Sequence, residues 1–227
     1  MTPWTFVSPA SRGIGHEIAR HLLQTTNVPV VVTARTNLEE VKSSLLKGLG
    51  PREEGSGKDA LEKRLHLHHV DVLDDASISS LSESLKSTFP PSSHRLQLAF
   101  LLPGRLDPER TITRVSASSA SLTFQTNILG PLLLAKHLFP FLPTSRTSLP
   151  PSDDASTHLP RTSTIAFLAA RVGSISDNRS AGGWYSYRMS KAAIFQLAKT
   201  LDLELRRTAG DRAMAVALHP GTVRTGL

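Results

Sequence analysis

Short apolar runs alternate along the whole chain with stretches in which apolar and polar positions repeat at helical spacing. The apolar runs are rich in β-branched residues and have the length of buried strands, which predicts a parallel sheet joined by crossover helices. The predicted strands cover residues 4–8, 28–33, 64–71, 96–103, 164–169 and 214–220.

The stretches between these runs have the pattern of amphipathic helices. Ile14, Ile18 and Leu22 recur at four-residue spacing and so lie on one face of a first helix. Asn37 and Asp74 are suited to cap the start of two further helices. Two longer helices are predicted at residues 120–139 and 185–207.

Two segments interrupt this alternation. Residues 50–59 form a polar, glycine-rich loop, and residues 143–161 are rich in Pro, Ser and Thr, which predicts a mobile surface insertion. A chain of 227 residues with 39% hydrophobic content is long enough to bury a full core, and α/β sheets of this size are commonly one domain. We therefore expect a single domain over residues 1–227.

Composition excludes several classes of protein. The chain has no cysteine, which rules out disulfides and thiolate metal sites. Its most apolar run, residues 130–142, contains Lys136 and Pro140 and is shorter than the about 20 residues that cross a bilayer. The first strand begins near Trp4, which leaves no room for a targeting peptide before it. We expect a cytoplasmic protein without a membrane partner.

Basic residues exceed acidic ones, 26 against 19, which gives a net charge of +7. The basic side chains are scattered as on an ordinary solvated surface, so we expect no nucleic-acid partner. His66, His68 and His69 lie in one strand, where neighbours point to opposite faces, and no carboxylate or cysteine completes a ligand set. We expect no metal site.

The first strand leads into the first helix through a turn that contains Gly13 and Gly15. Glycines let the chain pass close to a ligand at a helix N-terminus, where free N–H groups and the helix dipole favour phosphate. The same glycines also suit tight packing of the helix against the strand, and the turn alone does not decide between these roles. Pro9 stands where such turns usually carry their first glycine, and it has no N–H to donate.

Tyr187 and Lys191 are four residues apart, so on a helix both side chains project from the same face. A phenol has a pKa near 10 and is a poor acid–base catalyst at neutral pH, but a nearby ammonium group favours the phenolate and lowers this pKa. The pair therefore suits acid–base catalysis. The alternative is a tyrosine packed on the stem of an exposed lysine.

Five motifs in this order make the chain resemble the short-chain dehydrogenase/reductase family over essentially its whole length. They are the glycine turn at 8–15, VDV after the third strand, TNILG in the long helix, the pair Tyr187 and Lys191, and HPGTVRT near the end. Residues 171–193 look like the branch with C-factor-like proteins and small carbonyl reductases of the Sniffer type. The resemblance implies a Rossmann fold, an α/β fold with a doubly wound parallel sheet in three α/β/α layers.

The resemblance also implies roles for individual residues. Tyr187 would protonate the carbonyl oxygen as hydride arrives, Lys191 would lower the pKa of Tyr187 and hold the nicotinamide ribose, and Asn127 would hold a water in a proton relay. For Asn127, the alternative is a buried amide that satisfies a kink in the long helix. The residues implied to bind the cofactor are Ser8, Ser11, Arg12, Gly13, Ile14, Gly15, Arg35, Asp71, Val72, Gly104, Lys191, Pro220, Gly221, Val223 and Thr225.

The chain departs from the family pattern in further places. Leu101 and Leu102 replace asparagines that brace the sheet, so this polar bracing is lost or rebuilt. Ala170 stands where the catalytic serine is expected, and Ser174, 13 residues before Tyr187, either supplies that hydroxyl or is an ordinary loop serine. Family members usually continue through a helix and a seventh strand, so the chain is either truncated after its sixth strand or has an open substrate pocket.

The expected function is that of an NADP-dependent oxidoreductase acting on a small carbonyl or alcohol. Ala34 stands where an NAD-selective member carries an acid, and Arg35 beside it can meet the 2′-phosphate of NADP(H), as can Arg12. The alternative is a non-catalytic dinucleotide-binding or regulatory protein, which Ala170 and the short tail favour. A homo-oligomer is compatible with either function.

Overall fold

A parallel sheet forms the centre of the computed structural model, which describes residues 1–50, 58–148, 158–179 and 182–223. Its strands are β1 (Thr2–Ser8), β2 (Val30–Ala34), β3 (Leu65–His69), β4 (His94–Leu101), β5 (Ser163–Leu168) and β6 (Ala213–Leu218). Their order across the sheet is β3–β2–β1–β4–β5–β6. The chain therefore winds outward from β1 first in one direction and then in the other, which is the strand order of the Rossmann fold. The predicted fold class is confirmed.

Helices connect the strands. Within the described residues they are α1 (Gly13–Thr25), α2 (Leu38–Leu46), α3 (Lys58–Arg64), α4 (Asp75–Thr88), α5 (Ala117–Phe124), α6 (Gly130–Leu138) and α7 (Tyr185–Ala209). A π-helical turn, Gln125–Leu129, joins α5 to α6. Short 3₁₀ turns lie at Ile112–Arg114, Phe139–Phe141, Arg171–Gly173 and Gly210–Arg212.

The core lies on both faces of the sheet. On one face Phe6 of β1 belongs to an apolar cluster with residues of α4, α6 and α7. On the other face Val7 belongs to a cluster with residues of α1 and α2. Because a parallel sheet is buried on both faces, its strands need apolar residues at consecutive positions, which explains the uninterrupted apolar runs in the sequence. The sheet thus lies between two layers of helices.

Two arginines satisfy carbonyl groups at the ends of helices. Arg64 donates to the carbonyl oxygens of Leu23 and Thr26 at the end of α1, at 2.8 and 2.7 Å. Arg20 donates to the carbonyl oxygen of Leu45 at the end of α2, at 2.8 Å. The last carbonyls of an α-helix have no donors within the helix, so these two basic residues stabilise the fold.

The predicted elements differ from the structure in detail. The short helix α3 was not predicted; it begins inside the expected loop at 50–59, of which residues 51–57 lie outside the described residues. The helix predicted at 120–139 is interrupted by the π-helical turn. Asp74 caps α4 as predicted, whereas Asn37 precedes α2 without a capping hydrogen bond from its side chain.

The predicted insertion at 143–161 is described only at its two ends, because residues 149–157 lie outside the described residues. Near its start, the backbone N–H of Ser145 donates to the carbonyl oxygen of Thr208 at 2.9 Å. Near its end, the Gln97 side chain donates to the carbonyl oxygen of Arg161 at 2.9 Å. Both ends of this segment are therefore attached to the rest of the structure.

Candidate active site

The candidate residues lie where the strands end. Ser8 ends β1, Ala34 ends β2, Leu101 ends β4 and Leu168 ends β5. In a parallel sheet these carboxyl ends share one edge, and a ligand crevice opens where the winding direction reverses. Here the reversal lies at β1, which pairs with β2 on one side and β4 on the other. The structure thus brings the predicted motifs to one edge of the sheet.

The turn between β1 and α1 is packed tightly. Gly13 has a φ of +60°, a left-handed conformation that favours glycine. A Cβ atom on Gly15 would lie 1.9 Å from the carbonyl oxygen of Pro9. The backbone N–H of Ala10 donates to the carbonyl oxygen of Thr33 at 2.8 Å, which ties the turn to β2. Gly15 therefore serves close packing of helix against turn, one of the two roles that the sequence left open.

The N-terminus of α1 nevertheless remains open to an anion. Its first turn contains no acidic residue, and the residue before it, Arg12, makes no capping hydrogen bond with its side chain. The first N–H groups of an α-helix have no acceptors within the helix. Ser11 and Arg12 are exposed beside them, and Gly13 and Ile14 are half-buried. This donor set suits a phosphate group.

Ser8, Leu101 and Leu102 are packed inside the sheet and its two apolar clusters. Ser8 is fully buried, and its hydroxyl accepts a hydrogen bond from the Thr33 hydroxyl at 2.7 Å. Its carbonyl oxygen accepts from the backbone N–H of Leu102 at 2.7 Å. Leu101 and Leu102 are buried in the two apolar clusters, and Leu102 packs on Gly15. The Ser8 hydroxyl is thus engaged within the fold, and Ser8 ties β1 to β2 and to the end of β4.

The other candidate cofactor residues also follow strands. Arg35 is exposed directly after β2. Asp71 and Val72 follow β3 and are half-buried, and the Asp71 carboxylate accepts the backbone N–H of the residue two positions on, at 3.0 Å. A Cβ atom on Gly130 would lie 2.9 Å from Cβ of Val72, so α6 packs directly on this segment. Gly104 is exposed after β4.

Tyr187 and Lys191 lie in the first two turns of α7. The Lys191 side chain is 1% exposed, and its Nζ atom is 5.5 Å from the centre of the Tyr187 ring. Nζ also donates to the carbonyl oxygen of Leu168, the last residue of β5, at 2.6 Å. This burial rules out the alternative of an exposed lysine stem.

Burial shifts the pKa values of both residues. It lowers the pKa of Lys191 from 10.5 to about 8, because a charged ammonium group is poorly solvated there. It raises the pKa of Tyr187 above its ordinary value of 10, because the phenolate is likewise disfavoured. The cause of the upward shift is desolvation of the half-buried phenol. The role of Lys191 in lowering this pKa stays a prediction.

Ser174 directly follows the 3₁₀ turn Arg171–Gly173, which comes after β5 in the chain. A Cβ atom on Gly173 would lie 2.5 Å from the carbonyl carbon of Lys191, so this turn packs directly on α7. Ser174 is half-buried, and its hydroxyl lies 3.1 Å from that of Ser176. Ala170 precedes the turn and has no hydroxyl. The turn thus brings Gly173, the residue before Ser174, against Lys191.

Asn127 lies in the π-helical turn and is fully buried. Its Oδ1 atom accepts the backbone N–H of Arg105 at 2.7 Å. Its Nδ2 atom donates to the carbonyl oxygen of Arg105 and to the hydroxyl of Ser190, both at 2.9 Å. Both N–H groups of the amide are used, and through them Asn127 ties the π-helical turn to the Arg105 segment and to α7. Its two predicted roles stay predictions. The Ser190 hydroxyl in turn donates to the carbonyl oxygen of Tyr187 at 2.7 Å.

The chain after β6 is exposed. Pro220 and Gly221 lie on the surface, and Gly221 has a φ of +73°. Val223 lines a groove of about 600 Å³ together with the first residues of α1. This places part of the predicted cofactor set beside the glycine turn. Thr225 lies outside the described residues.

Two residues near α7 were not predicted. The buried carboxylate of Glu109 accepts hydrogen bonds from Ser186 in the first turn of α7. The Arg188 side chain donates to the carbonyl oxygen of Gly183 at 3.0 Å and to the amide oxygen of Asn178 at 2.9 Å. Arg188 thus ties the segments around Ser174 to the helix. No local sequence pattern indicates the contact of Glu109 with Ser186 or that of Arg188 with Asn178, because the fold brings these residues together.

Similar proteins support the resemblance that the motifs indicate. No family model matches the chain. An uncharacterized oxidoreductase of Saccharomyces cerevisiae is 25% identical over 222 residues, which cover 98% of this chain and 75% of that protein. C-signal of Myxococcus xanthus is 30% identical over 113 residues, which cover 50% of this chain and 57% of that protein.

Solved structures agree with these relatives. The NADPH-bound carbonyl reductase from chicken fatty liver has a TM-score of 0.75 and 25% identity. The similar region covers 99% of this chain and 81% of the carbonyl reductase. A Caenorhabditis elegans protein assigned as the carbonyl reductase Sniffer has a TM-score of 0.74 and 25% identity, with 97% and 86% covered. A Burkholderia multivorans protein assigned as a short-chain dehydrogenase/reductase, with bound NADP, has a TM-score of 0.70 and 27% identity, with 100% and 82% covered.

The fold, the site and these relatives define the chain as a Rossmann-fold protein of the oxidoreductase class. Within that class it is a relative of the short-chain dehydrogenases/reductases, so the resemblance predicted from its motifs is confirmed. Among the described residues, none of the helices is both long and apolar enough to span a membrane. The same residues contain no group of three side chains placed to hold a metal ion.

Proposed function

We propose that the protein is an NADP(H)-dependent oxidoreductase that interconverts a small carbonyl compound and its alcohol. The observation that carries this proposal is the buried Lys191 ammonium group, 5.5 Å from the ring of Tyr187 at the carboxyl edge of the sheet. An unneutralised buried lysine costs stability, so a catalytic role explains its presence better than a structural one.

The residues at the edge of the sheet fit a dinucleotide. The uncapped N-terminus of α1, with Ser11 and Arg12 exposed beside it, would hold the pyrophosphate. Arg35 would meet the 2′-phosphate, and Asp71 and Val72 would bind the adenine. The bound NADPH and NADP of two structural neighbours support this choice of cofactor. When bound, the cofactor supplies the hydride for reduction.

Tyr187 would deliver the proton. Its raised pKa keeps the phenol protonated at neutral pH, which is the form that a general acid needs. Because the pKa of Lys191 is about 8, its ammonium group is mostly charged at neutral pH and can stabilise the phenolate as it forms. The same ammonium group would also donate to the nicotinamide ribose.

Ser174 and Asn127 would have supporting roles. The Ser174 hydroxyl is half-buried in the turn that packs on Lys191, so it would donate a hydrogen bond to the substrate oxygen in place of the residue missing at Ala170. Asn127 would fix the π-helical turn against Ser190 and thereby support the backbone at Tyr187.

Cofactor binding and turnover test the proposal separately. Thermal unfolding is measured without cofactor, with NADPH and with NADH, because a ligand that binds only the folded state raises the melting temperature. We expect a rise with NADPH and a smaller one with NADH, followed by NADPH consumption on a panel of aldehydes and ketones. The absence of a rise with either cofactor would refute the proposal. Binding without turnover would point instead to the regulatory alternative.

A further inference from the structure

A buried carboxylate from a distant part of the chain holds the start of α7. Glu109 lies between β4 and the 3₁₀ turn at Ile112–Arg114, and it is 4% exposed. Its Oε2 atom accepts the backbone N–H of Ser186 at 2.7 Å, and its Oε1 atom accepts the Ser186 hydroxyl at 2.6 Å. The carbonyl oxygen of Glu109 accepts the backbone N–H of Trp184 at 2.7 Å.

These contacts provide hydrogen-bond acceptors at the N-terminus of α7, which has no capping side chain of its own. The first turn of α7 contains no acidic residue, and Trp184 before it makes no capping hydrogen bond with its side chain. The first N–H groups of a helix lack acceptors within the helix, and they form the positive end of its dipole. Glu109 therefore supplies both an acceptor and a negative charge at this end.

The approach of the two segments is close. Gly183 has a φ of +63°, and a Cβ atom at this position would lie 2.1 Å from the carbonyl oxygen of Glu109. Any side chain at position 183 would therefore push the Glu109 segment away from α7. The contact between the two segments thus depends on glycine.

The two candidate catalytic residues of α7 are held by different contacts. Tyr187 directly follows Ser186, the residue that Glu109 binds. Lys191 lies one turn further along and is fixed by the carbonyl oxygen of Leu168 and by the packing of Gly173. Loss of Glu109 should therefore disturb Tyr187 more than Lys191.

We propose that Glu109 is a positioning residue, which fixes the first turn of α7 and with it the side chain of Tyr187. This inference deepens the proposed function and rests on Tyr187 as the general acid. It separates proton delivery, which depends on Glu109, from cofactor binding, which depends on Lys191.

Glu109→Gln tests this role, because the amide keeps the size of the side chain but loses the charge and one acceptor. The matched control is Asp202→Asn. Asp202 is a buried carboxylate within α7, 7% exposed and paired with Arg206 at 2.9 Å, about four turns from Tyr187. Both variants remove a buried carboxylate that is hydrogen-bonded to a residue of α7, so urea unfolding shows whether their losses of stability are comparable.

We expect Glu109→Gln to lower kcat about tenfold or more, because small displacements of a reacting group are costly, with KM and NADPH affinity little changed. Asp202→Asn should keep the wild-type kcat. Wild-type kcat in Glu109→Gln, or an equal loss of kcat in Asp202→Asn at comparable stability, would overturn the proposal.

A second measurement does not depend on turnover. The chain has two tyrosines, so in a Tyr185→Phe background the ultraviolet titration of phenol ionisation reports Tyr187 alone. Loss of the Glu109 charge and freer access of water both favour the phenolate, so Glu109→Gln should lower the midpoint, and Asp202→Asn should not. An unchanged midpoint in Glu109→Gln would overturn the proposal. If the wild type reduces no carbonyl, the proposed function fails, but this titration still decides the role of Glu109.

Discussion

Burial, more than charge, sets the proton affinity of the two residues at the centre of the site. Lys191 is enclosed between β5 and α7, where the ammonium group has one hydrogen bond to the carbonyl oxygen of Leu168. Tyr187 is half-buried above it. Sequence spacing predicts that the two side chains are neighbours, but desolvation depends on everything packed around them. The direction of the Tyr187 shift could therefore not be predicted from the sequence.

The titration of Lys191 should make the free energy of unfolding depend on pH. Its pKa is about 8 in the folded protein and close to the ordinary 10.5 in the unfolded chain. Between these values the unfolded chain binds more protons, so this residue makes the folded state more stable as pH rises. Below pH 8 both states carry the charge, and the full cost of its burial is present.

Urea unfolding of the wild type and of Lys191→Met at several pH values between 7 and 10 tests this prediction. The contributions of other groups largely cancel in the difference between the two proteins. We expect the free energy of unfolding of the wild type to rise relative to the variant by roughly 2 kcal/mol over this range. A flat or falling difference would show that Lys191 is not desolvated.

Arg35 should select the cofactor. It is exposed directly after β2, where its guanidinium group can pair with a 2′-phosphate. We expect Arg35→Ala to weaken NADPH binding about tenfold or more and to leave NADH binding unchanged, since NADH lacks this phosphate. Arg207→Ala, at an exposed position of α7, is the matched control. Equal weakening of both cofactors, or of neither, would contradict the assigned role.

At the scale of elements, the strands and most helices followed from local pattern, but their irregular points did not. The six strands and the start of α4 at Asp74 lie where the sequence predicts them. The π-helical turn is tied through Asn127 to Arg105 and Ser190, which are distant in sequence. The start of α7 is tied in the same way to Glu109. Periodicity reports which face of a helix is buried, but it carries no information about partners from other elements.

The 3₁₀ turn before Ser174 should be sensitive to a single methyl group. A Cβ atom on Gly173 would lie 2.5 Å from backbone atoms of Lys191, so Gly173→Ala must separate the turn from α7. We expect a loss of about 2 kcal/mol in the free energy of unfolding, together with a loss of turnover as Ser174 and Lys191 move.

Gly50→Ala is the control for this change, because a Cβ atom there meets no atom of the described residues within 4 Å. Both proteins are compared by urea unfolding and by steady-state rates. Stability of Gly173→Ala equal to that of Gly50→Ala would mean that the turn does not pack on α7 as described.

At the scale of the whole molecule, the doubly wound sheet explains why motifs spread over the chain lie at one edge of the sheet. The glycine turn, Arg35, Asp71 and the 3₁₀ turn follow four different strands, and parallel pairing brings all four strand ends to the same edge. The family resemblance predicted this convergence, because it depends only on the order of elements. It did not predict the hydrogen bond from the Thr33 hydroxyl to the Ser8 hydroxyl, which ties β2 to β1.

We propose that this edge of the sheet reduces a carbonyl with Tyr187 as the acid. The two tyrosines of the chain, Tyr187 and the exposed Tyr185, provide a matched pair of substitutions that each remove only a hydroxyl group. The most direct measurement is the rate of NADPH consumption with an accepted carbonyl substrate, beside a fluorescence titration of NADPH binding, for wild type, Tyr187→Phe and Tyr185→Phe.

We expect Tyr187→Phe to bind NADPH as the wild type does but to reduce the substrate about 10²–10⁴-fold more slowly, since proton delivery is lost. Tyr185→Phe should keep both binding and rate. Reduction by Tyr187→Phe at the wild-type rate would contradict the account.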